Sequence, residues 1–377
     1  MRKRKFMAPM MILLATVLVM TSLIAACAQE APAPAPMEPI ELTYSSPSTV
    51  TNTQMWTTSV KLWSEAVASA YGPFKINAYH DGSLLSDKEA LEGLRAGIAD
   101  SAFLQTPYFP QLLPAHEVGN NRLFGMNSLS TAMTARIIWT QFPVFREELE
   151  KQNVLGLFAI ATAPVHIITT KPVVTFADLE GQRIRAAGAG TAAGVEAANS
   201  VAVALTFGEV YEAIQRGVVD GGASVLPGIR DAQWSKVAKN LVIMGATGCL
   251  SSGIMMGMNL DTWQKLPMEL KKIMVEEAQK REEVFAEFYV QDEKDALDEM
   301  VNVDGVKVTE FSSDVMEQWQ NNMRDMFSEW SEKVEPLGIP GKEISARIKE
   351  VAKLSASEKR KLWLEAWEQH SEYLLSK

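Results

Sequence analysis

Short apolar runs alternate with amphipathic stretches from residue 41 onward, and this alternation restricts the possible folds more than any other feature of the chain. Eight runs have the length and composition of strands, at residues 42–44, 74–78, 101–104, 154–160, 166–169, 183–186, 219–223 and 241–244. Helical patterns lie between them, at residues 55–70, 87–96, 131–149, 191–199, 207–216 and 228–237. Because such alternation is typical of proteins with crossover connections, the sequence predicts an α/β fold.

Two segments of the alternating region resemble each other. Residues 93–100 read GLRAGIAD and residues 213–220 read AIQRGVVD. In each segment an amphipathic helix ends at a glycine, which we expect in the left-handed region, and an aspartate leads into the next strand. The repetition indicates two lobes built from related units, and two α/β lobes commonly close around a ligand.

One helical pattern is much longer than the others. Residues 267–301 are rich in charge and contain no glycine, and no proline after the first position. At 1.5 Å per residue such a helix is too long for one small lobe, and its apolar positions keep no strict heptad, which argues against a coiled coil. We therefore expect a helix that crosses both lobes. A strand near 305–309, a helix over 313–334 and a charged helical segment with Trp363 and Trp367 follow.

The first forty residues have the composition of a secretion signal followed by a linker. Four cations precede an uncharged apolar stretch, and small residues come directly before Cys27. This arrangement is typical of a cleaved signal peptide, although a stretch of this length could also be retained as a membrane anchor. Alternating proline and alanine then indicate an extended tether. Both alternatives place the globular part outside the cytoplasm, in the periplasm or at the outer cell surface.

Charge and residue usage exclude several classes of function. Removing residues 1–26 takes four of the 36 basic residues and none of the 46 acidic ones, which leaves 32 bases and a formal charge near −14. We therefore expect no nucleic acid partner. The four histidines show no metal-ligand spacing and no G-x-S-x-G motif is present, so we expect no metal, no cofactor and no enzymatic activity. Apart from Cys27, only Cys249 remains after the cut, and we interpret it as a core residue.

Two phrases carry a resemblance to a known family. Residues 177–185 read ADLEGQRIR and residues 209–221 read EVYEAIQRGVVDG. Together they resemble the signature of the solute-binding proteins of TRAP transporters, over roughly residues 41–335. The resemblance implies a two-lobe, periplasmic-binding-protein-like fold with an interlobe cleft and a long helix that spans both lobes. It also implies capture of a small organic carboxylate and its delivery to the membrane subunits of a sodium-driven permease.

The resemblance also sets the expected organisation of the chain. Because the residues before Cys27 are similar to a bacterial lipobox, Cys27 is expected to be lipidated and to anchor the protein to the membrane. The expected segments are 1–26, a lipoprotein signal peptide; 27–40, a Pro/Ala tether; 41–164 with 250–290, lobe I; 165–249 with 291–340, lobe II; and 341–377, a helical C-terminal extension.

Arg185 is the best candidate for a ligand contact. It ends a short apolar strand, where a guanidinium can offer a fixed fork of donors to a carboxylate, and the family motif gives this position that role. The alternative is a structural salt bridge to one of the many acids. Arg183, two residues earlier in the same strand, is expected to be solvated. Asp220 is expected to bond locally rather than to contact the ligand.

Four other residues are candidate contacts. Gln105 and Tyr108 follow a strand of the first lobe, and ligands of open α/β sheets bind beyond the carboxyl ends of strands. Ser224 stands where related proteins often have a larger amide or acid. His166 lies where many family members have a second arginine; it could donate to a carboxylate in a pH-dependent way, or be a packed neutral histidine.

These departures from the family pattern bear on the ligand. With one arginine lost and a small segment at 222–224, we expect a monocarboxylate with an apolar or aromatic tail. Two other functions stay open from the sequence. One is a receptor that presents its ligand to a sensor kinase, and the other is a secreted α/β enzyme on the same fold.

Overall fold

The computed structural model of the protein describes residues 39–47, 59–205 and 207–377. The expected signal peptide, Cys27, the tether up to residue 38 and the start of the first predicted helix, residues 55–58, lie outside these ranges. The strands are β1 (Ile40–Ser45), β2 (Phe74–Tyr79), β3 (Ser101–Gln105), β4 (Arg122–Phe124), β5 (Val154–Ala159), β6 (Val165–Thr169), β7 (Arg183–Arg185), β8 (Val201–Val203), β9 (Gly221–Val225), β10 (Asn240–Gly248), β11 (Ile254–Asn259) and β12 (Lys307–Thr309).

The α-helices surround these strands and include one that is far longer than the rest. They are α1 (Leu62–Tyr71), α2 (Ala90–Arg95), α3 (Ser128–Gln141), α4 (Val144–Lys151), α5 (Gly188–Glu196), α6 (Val210–Gln215), α7 (Leu226–Asp231), α8 (Trp234–Val237), α9 (Leu260–Lys265), α10 (Met268–Asn302), α11 (Ser313–Asn322), α12 (Met326–Val334), α13 (Gly341–Lys353) and α14 (Ala356–Ser376).

The strands form two mixed sheets. The first has the order β2-β1-β3-β11-β5, and the second has the order β12-β10-β6-β9-β7-β8 with β4 beside β10. In the first sheet β1 is parallel to β2 and β3, whereas β11 is antiparallel to β3 and β5. In the second sheet β7, β8 and β9 are parallel, and β6 is antiparallel to β9 and β10. The predicted α/β class is therefore confirmed.

Three short connections within the described residues cross from one sheet to the other. Residues 106–121 join β3 to β4, residues 160–164 join β5 to β6, and residues 249–253 join β10 to β11. The strand directions show that all three connections lie at the same edge of the first sheet. This is the edge where β3 and β5 end and β11 begins. They meet the edge of the second sheet where β7, β9 and β10 end and β4 and β6 begin. These edges face each other across about 20 Å at most, because the middle connection is so short.

Helix α10 crosses both halves of the fold, as expected for the long charged pattern. Its 35 residues span about 52 Å at the standard rise. Leu270, Phe285 and Tyr289 pack in the core around the first sheet, while Ala296 and Met300 pack in a core of the second sheet. The helix therefore connects the cores of the two halves.

A buried carboxylate joins α10 to the C-terminal helix. Glu282 accepts hydrogen bonds from the Trp363 and Trp367 indoles at 2.9 and 3.0 Å, and from the backbone N–H of Ala159 at 2.7 Å. Arg136, also buried, donates to it through Nη2 at 2.7 Å. Glu282 is therefore buried rather than solvated, because α14 covers this face of α10 and supplies two of the four donor groups.

The repeated unit seen in the sequence has the same local geometry in both copies. Gly97 and Gly217 have φ of 70° and 69°, the left-handed conformation expected after each helix. Asp100 then accepts the backbone N–H of Thr43 at 2.8 Å, and Asp220 accepts that of Arg183 at 2.9 Å. The expected helix ends are confirmed, and each aspartate ties its turn to a neighbouring strand.

Several predicted boundaries differ from the structure. The pattern at 131–149 is two helices, because Pro143 disfavours helical geometry at Phe142 and starts a new helix. The pattern at 313–334 is likewise two helices, α11 and α12. Strand β9 begins two residues later than predicted, and the three-residue strands β4 and β8 were not predicted.

The lobe boundaries drawn from the sequence stay a prediction. Two details of packing differ from them, however. Strand β4, placed in lobe I, pairs with β10 of the second sheet. Helix α12, placed in lobe II, contributes Phe327 and Trp330 to the core around the first sheet.

Candidate ligand-binding site

Arg185 is the last residue of β7, and only 5% of it is exposed. Its Nε donates a hydrogen bond to the carbonyl oxygen of Leu205 at 3.0 Å, and its Nη1 donates to that of Ala223 at 3.3 Å. Bonds to two separate chain segments fix the plane of the guanidinium. A guanidinium held in this way offers its remaining donors in a set direction.

No acidic side chain in residues 39–47, 59–205 and 207–377 lies within 4.0 Å of the Arg185 guanidinium. The alternative of a structural salt bridge therefore has no partner in the described part of the chain. Burial lowers the pKa of Arg185 to about 10, and the nearby Tyr108 hydroxyl acts in the opposite direction. Because a buried charge is costly unless it is paired, this position favours an anion that comes from outside.

Two aromatic residues that sequence reasoning missed surround Arg185. The ring centroids of Phe207 and Trp234 lie 5.8 and 5.7 Å from its Cζ atom. Gly222 stands opposite Arg185 in β9, and a Cβ atom there would lie 2.8 Å from the Trp234 ring. The small residue is therefore required for the tryptophan to pack beneath the arginine. In the sequence these aromatics stand in separate segments, so only the fold reveals their relation to Arg185.

Tyr108 comes from the first half of the fold and approaches Arg185. It lies in the short 3₁₀ turn Thr106–Tyr108 that follows β3, and 43% of it is exposed. Burial raises the pKa of its phenol, Asp87 raises it further, and Arg185 lowers it. Gln105, the last residue of β3, is half-buried at the same edge. Tyr108 thus lies near enough to Arg185 for each to influence the pKa of the other, and its role as a ligand contact stays a prediction.

Ser224 and His166 are neighbours in the second sheet. They stand opposite each other in β9 and β6, and side chains of directly opposed residues share a face. His166 is 5% exposed, and burial lowers its pKa to about 4, so its imidazole is neutral at pH 7. Its Nε2 lies 4.0 Å from Oε1 of Glu293 on α10. His166 is therefore no cationic replacement for a second arginine.

Arg183 is exposed, as predicted, and it also has an acidic partner. Its side chain is half-exposed, but it is paired, because its Nε donates to Oδ2 of Asp220 at 3.1 Å. Lys171 lies 3.0 Å from the other oxygen of this carboxylate. Hydrogen bonds from Arg183 hold the pKa of Asp220 well below its usual range. Asp220 thus bonds locally, as expected, and Arg183 is exposed to solvent, as expected, while it also pairs with this carboxylate.

Arg122 is a second arginine at this edge that the sequence did not single out. It begins β4 opposite Gly248, where β10 ends, and its Nη2 donates to Oγ1 of Thr191 at 2.8 Å. Burial lowers its pKa to about 10, and no described acid lies within 4.0 Å of it. The short strand that carries it has no recognisable pattern in the sequence. The edge therefore holds two guanidinium groups without described acidic partners.

Two cavities of the structure do not include Arg185. One of about 30 Å³ is enclosed within the first core, beside His116, Trp139 and Tyr373. A wide groove of about 710 Å³ runs past Phe124 and Met316. Neither is lined by Arg185, so charge and topology rather than volume identify the site. Among the described residues, no group of three or more His, Cys, Asp or Glu side chains could hold a metal ion.

Two sheets joined by short crossings, with a buried guanidinium where their edges face each other, define a two-lobe ligand-binding protein. The sequence agrees, since residues 47–333 match the family of bacterial extracellular solute-binding proteins, family 7. The chain belongs to this family, and the predicted resemblance to TRAP solute-binding proteins is confirmed. No helix among the residues described is both long and apolar enough to cross a bilayer.

Individual relatives support the same fold. A solute-binding protein of Sulfitobacter sp. (strain NAS-14.1) is 28% identical over 172 residues, which are 45% of this chain and 51% of that protein. The chain thus matches about half the length of this curated relative. A TRAP periplasmic solute-binding protein of Desulfovibrio salexigens DSM2638 has a TM-score of 0.73 at 21% identity, covering 85% of this chain and 99% of that one. A TRAP solute-binding protein of Rhodoferax ferrireducens T118, crystallised with copurified benzoate, has a TM-score of 0.72 at 15% identity, with coverages of 85% and 99%.

Proposed function

We propose that this protein is the extracytoplasmic solute-binding subunit of a sodium-coupled TRAP transporter. It captures a small organic carboxylate between lobe I (41–164 with 250–290) and lobe II (165–249 with 291–340), and delivers it to the permease subunits in the membrane. The observation that carries this proposal is Arg185. It is a buried, oriented guanidinium without a described acidic partner, at the edge where the two sheets face each other.

The surroundings of Arg185 support a monocarboxylate with an apolar or aromatic tail. Phe207, Trp234 and Tyr108 offer aromatic surface next to the guanidinium. Gln105 and Ser224 supply neutral polar groups from opposite sides of the cleft. The imidazole of His166 is neutral and provides no second positive charge. The other guanidinium at this edge, that of Arg122, already donates to the Thr191 hydroxyl. The benzoate found in the Rhodoferax relative is a ligand of this chemical class.

Binding is expected to close the lobes rather than to catalyse a reaction. The carboxylate contacts Arg185 from one lobe and Tyr108 or Gln105 from the other, so it has more contacts in the closed state. A ligand shifts a conformational equilibrium only by its difference in affinity for the two states. Closure also removes water from around the ion pair, which strengthens the attraction between the carboxylate and the guanidinium.

The start of the sequence supports attachment of the protein to a membrane. Four cations, an apolar stretch and small residues before Cys27 fit a lipoprotein signal peptide that is cleaved at that cysteine. Cleavage and lipidation would leave the Pro/Ala segment as a tether. A Cys27→Ala variant should then leave the membrane fraction or keep its signal peptide, as fractionation and intact-mass measurement would reveal.

Substitution of Arg185 tests carboxylate capture. A thermal-shift screen of small organic acids identifies ligands, since a true ligand raises the melting temperature by mass action. Calorimetry should then find that Arg185→Ala weakens binding by about 2–5 kcal/mol, which is at least about thirtyfold in Kd. Arg183→Ala is the matched control, because it alters the same strand and should change stability but not affinity. An Arg185→Ala variant with unchanged affinity would contradict the proposal.

A further inference from the structure

His166 and Glu293 form a polar cluster whose hydrogen-bonding capacity is not used within the described residues. The 4.0 Å between His166 Nε2 and Glu293 Oε1 is too long for a hydrogen bond. The other ring nitrogen of His166, Nδ1, is buried and has no hydrogen-bond partner there. Both side chains are mostly buried, with 7% and 13% exposed. Buried polar groups are almost always satisfied, so this cluster indicates a missing partner.

The cluster lies on the same face and edge of the second sheet as Arg185. Arg185 is opposite Gly222, and Ser224, two residues further along β9, is opposite His166. Residues two apart in a strand point to the same side, so Arg185, Ser224 and His166 share one face. Strands β7 and β6 are separated by β9 alone, which places them about 10 Å apart. This separation suits the two ends of a small organic acid, given the reach of the arginine side chain.

The charge state of the cluster follows from its neighbours. On α10 itself, Tyr289 and Asp292 flank Glu293, while from α7 Arg230 is engaged with Asp292 at 2.9 Å and with the adjacent Asp231. From β6 the facing group is His166. Burial, and then the charge of Asp292, raise the pKa of Glu293 to about 8. At pH 7 the cluster is therefore a protonated carboxyl group beside a neutral imidazole.

We propose that His166 and Glu293 together bind a hydroxyl group of the ligand, at the opposite end from the carboxylate held by Arg185. An oxygen atom at about 2.8 Å from each of two atoms fits a gap of 4.0 Å between them. A hydroxyl both donates and accepts, so it can serve the protonated carboxyl and either tautomer of the imidazole. This inference rests on the proposed function and narrows its ligand to hydroxylated monocarboxylates. Glu293 is then a residue that determines specificity for the hydroxyl group.

Matched pairs of acids test the hydroxyl site. The probes are phenylacetate with 3-hydroxyphenylacetate, and hexanoate with 6-hydroxyhexanoate, measured by calorimetry at pH 7. At least one hydroxy acid should bind about tenfold more tightly than its parent. Glu293→Leu should remove this preference, so that the two affinities within a pair become equal. Equal affinities within both pairs, or failure of both hydroxy acids to bind, would overturn the proposal.

The pH dependence of binding identifies Glu293 as the group involved. If its ionised form does not bind, a pKa of about 8 gives about a tenfold loss of affinity for the hydroxy acid between pH 7 and pH 9. Glu293→Gln keeps a neutral hydrogen-bonding side chain and should give a flat profile. Glu287→Gln, an exposed change on the same helix, should behave like the wild type. Identical profiles for the wild type and Glu293→Gln would contradict the proposal.

Two further measurements keep the result interpretable. Thermal melts establish that each variant is folded; if Glu293→Gln is not, His166→Gln replaces it. His166→Gln should weaken binding of the hydroxy acid at every pH. The affinity of this variant should still fall above pH 8, because Glu293 is intact. An affinity that does not change with pH in this variant would overturn the proposal. If the proposed capture of the carboxylate is wrong, the result is different. Arg185→Ala would then leave the affinities for the parent acids and for the hydroxy acids unchanged.

Discussion

Replacing Glu282 by glutamine should destabilise the protein far more than the same change at the adjacent Glu283. The carboxylate of Glu282 accepts from Arg136, two tryptophan indoles and one backbone N–H, all of them buried. A glutamine has the same size but only one acceptor oxygen, and its amide group would point hydrogen atoms at groups that are themselves donors. Arg136, 2% exposed, would also lose its only described counter-ion.

The expected cost follows from breaking a buried ion pair. Removal of one partner from such a pair costs about 3–5 kcal/mol, because the remaining charge is left uncompensated. Glu283 provides the comparison, since it pairs with the half-exposed Arg360 at the surface. Surface pairs contribute about 0–1 kcal/mol. The two neighbouring substitutions should therefore differ by at least about 2 kcal/mol.

Urea unfolding, followed by tryptophan fluorescence, measures this difference directly. At a slope of about 2–3 kcal/mol per molar urea, Glu282→Gln should lower the midpoint by about 1–2 M, and Glu283→Gln by a few tenths at most. Because Trp363 and Trp367 donate to Glu282, their emission should also shift in the folded variant. Midpoints that agree within about 0.3 M for the two variants would refute this account of the buried cluster.

Two other substitutions test the turn that follows the second repeated helix. Asp220→Asn should cost about 1–3 kcal/mol at pH 7, because hydrogen bonds from Arg183 to a charged acceptor are lost. Because folding lowers the pKa of Asp220, its contribution to stability is complete only above the pKa of the unfolded chain, near pH 4, and is lost gradually as the pH falls towards the lower folded value. The difference between the urea midpoints of wild type and variant should therefore be smaller at pH 3 than at pH 7, and an equal difference at both pH values would rule this out. Gly217→Ala should cost about 1–2 kcal/mol from its φ of 69° alone, since nothing lies within 4 Å of the added Cβ. Gly208→Ala, equally open but without positive φ, should be close to neutral in the same assay, and equal losses in both would discount backbone strain.

The fold could be predicted from the sequence wherever the pattern is local. Helix α10 was recognisable because it has no breaker for some 35 residues, and the turns at Gly97 and Gly217 because a glycine and an aspartate recur at fixed distances. Strand β4 was not recognisable, because three residues are too few to show a periodic pattern. Its pairing with β10 also joins segments that are more than 120 residues apart in the sequence. The burial of Glu282 was likewise invisible, since its partners come from α3 and α14.

The residues of the candidate site also fall into two groups, those that the sequence indicates and those that only the fold reveals. Arg185, Tyr108 and Ser224 follow strands, and their approximate location could be predicted because strand ends gather at one edge of a sheet. The sequence could not predict the location of Arg122, Trp234 and Glu293, because each reaches that edge from a distant part of the chain. Nothing in the sequence around Glu293 separates it from the many exposed acids of the same helix; only its contact with His166 does.

The core around the first sheet has a consequence for how the protein folds. It contains Leu42 near one end of the described chain and Leu374 near the other, and the Trp63 indole bonds to the carbonyl of Met274, 211 residues away. Contacts between residues so far apart in sequence slow folding, because long loops must close before they form. A growing chain cannot complete this half until α14 has been made. The polypeptide should therefore remain incompletely folded until its C-terminal helix is available.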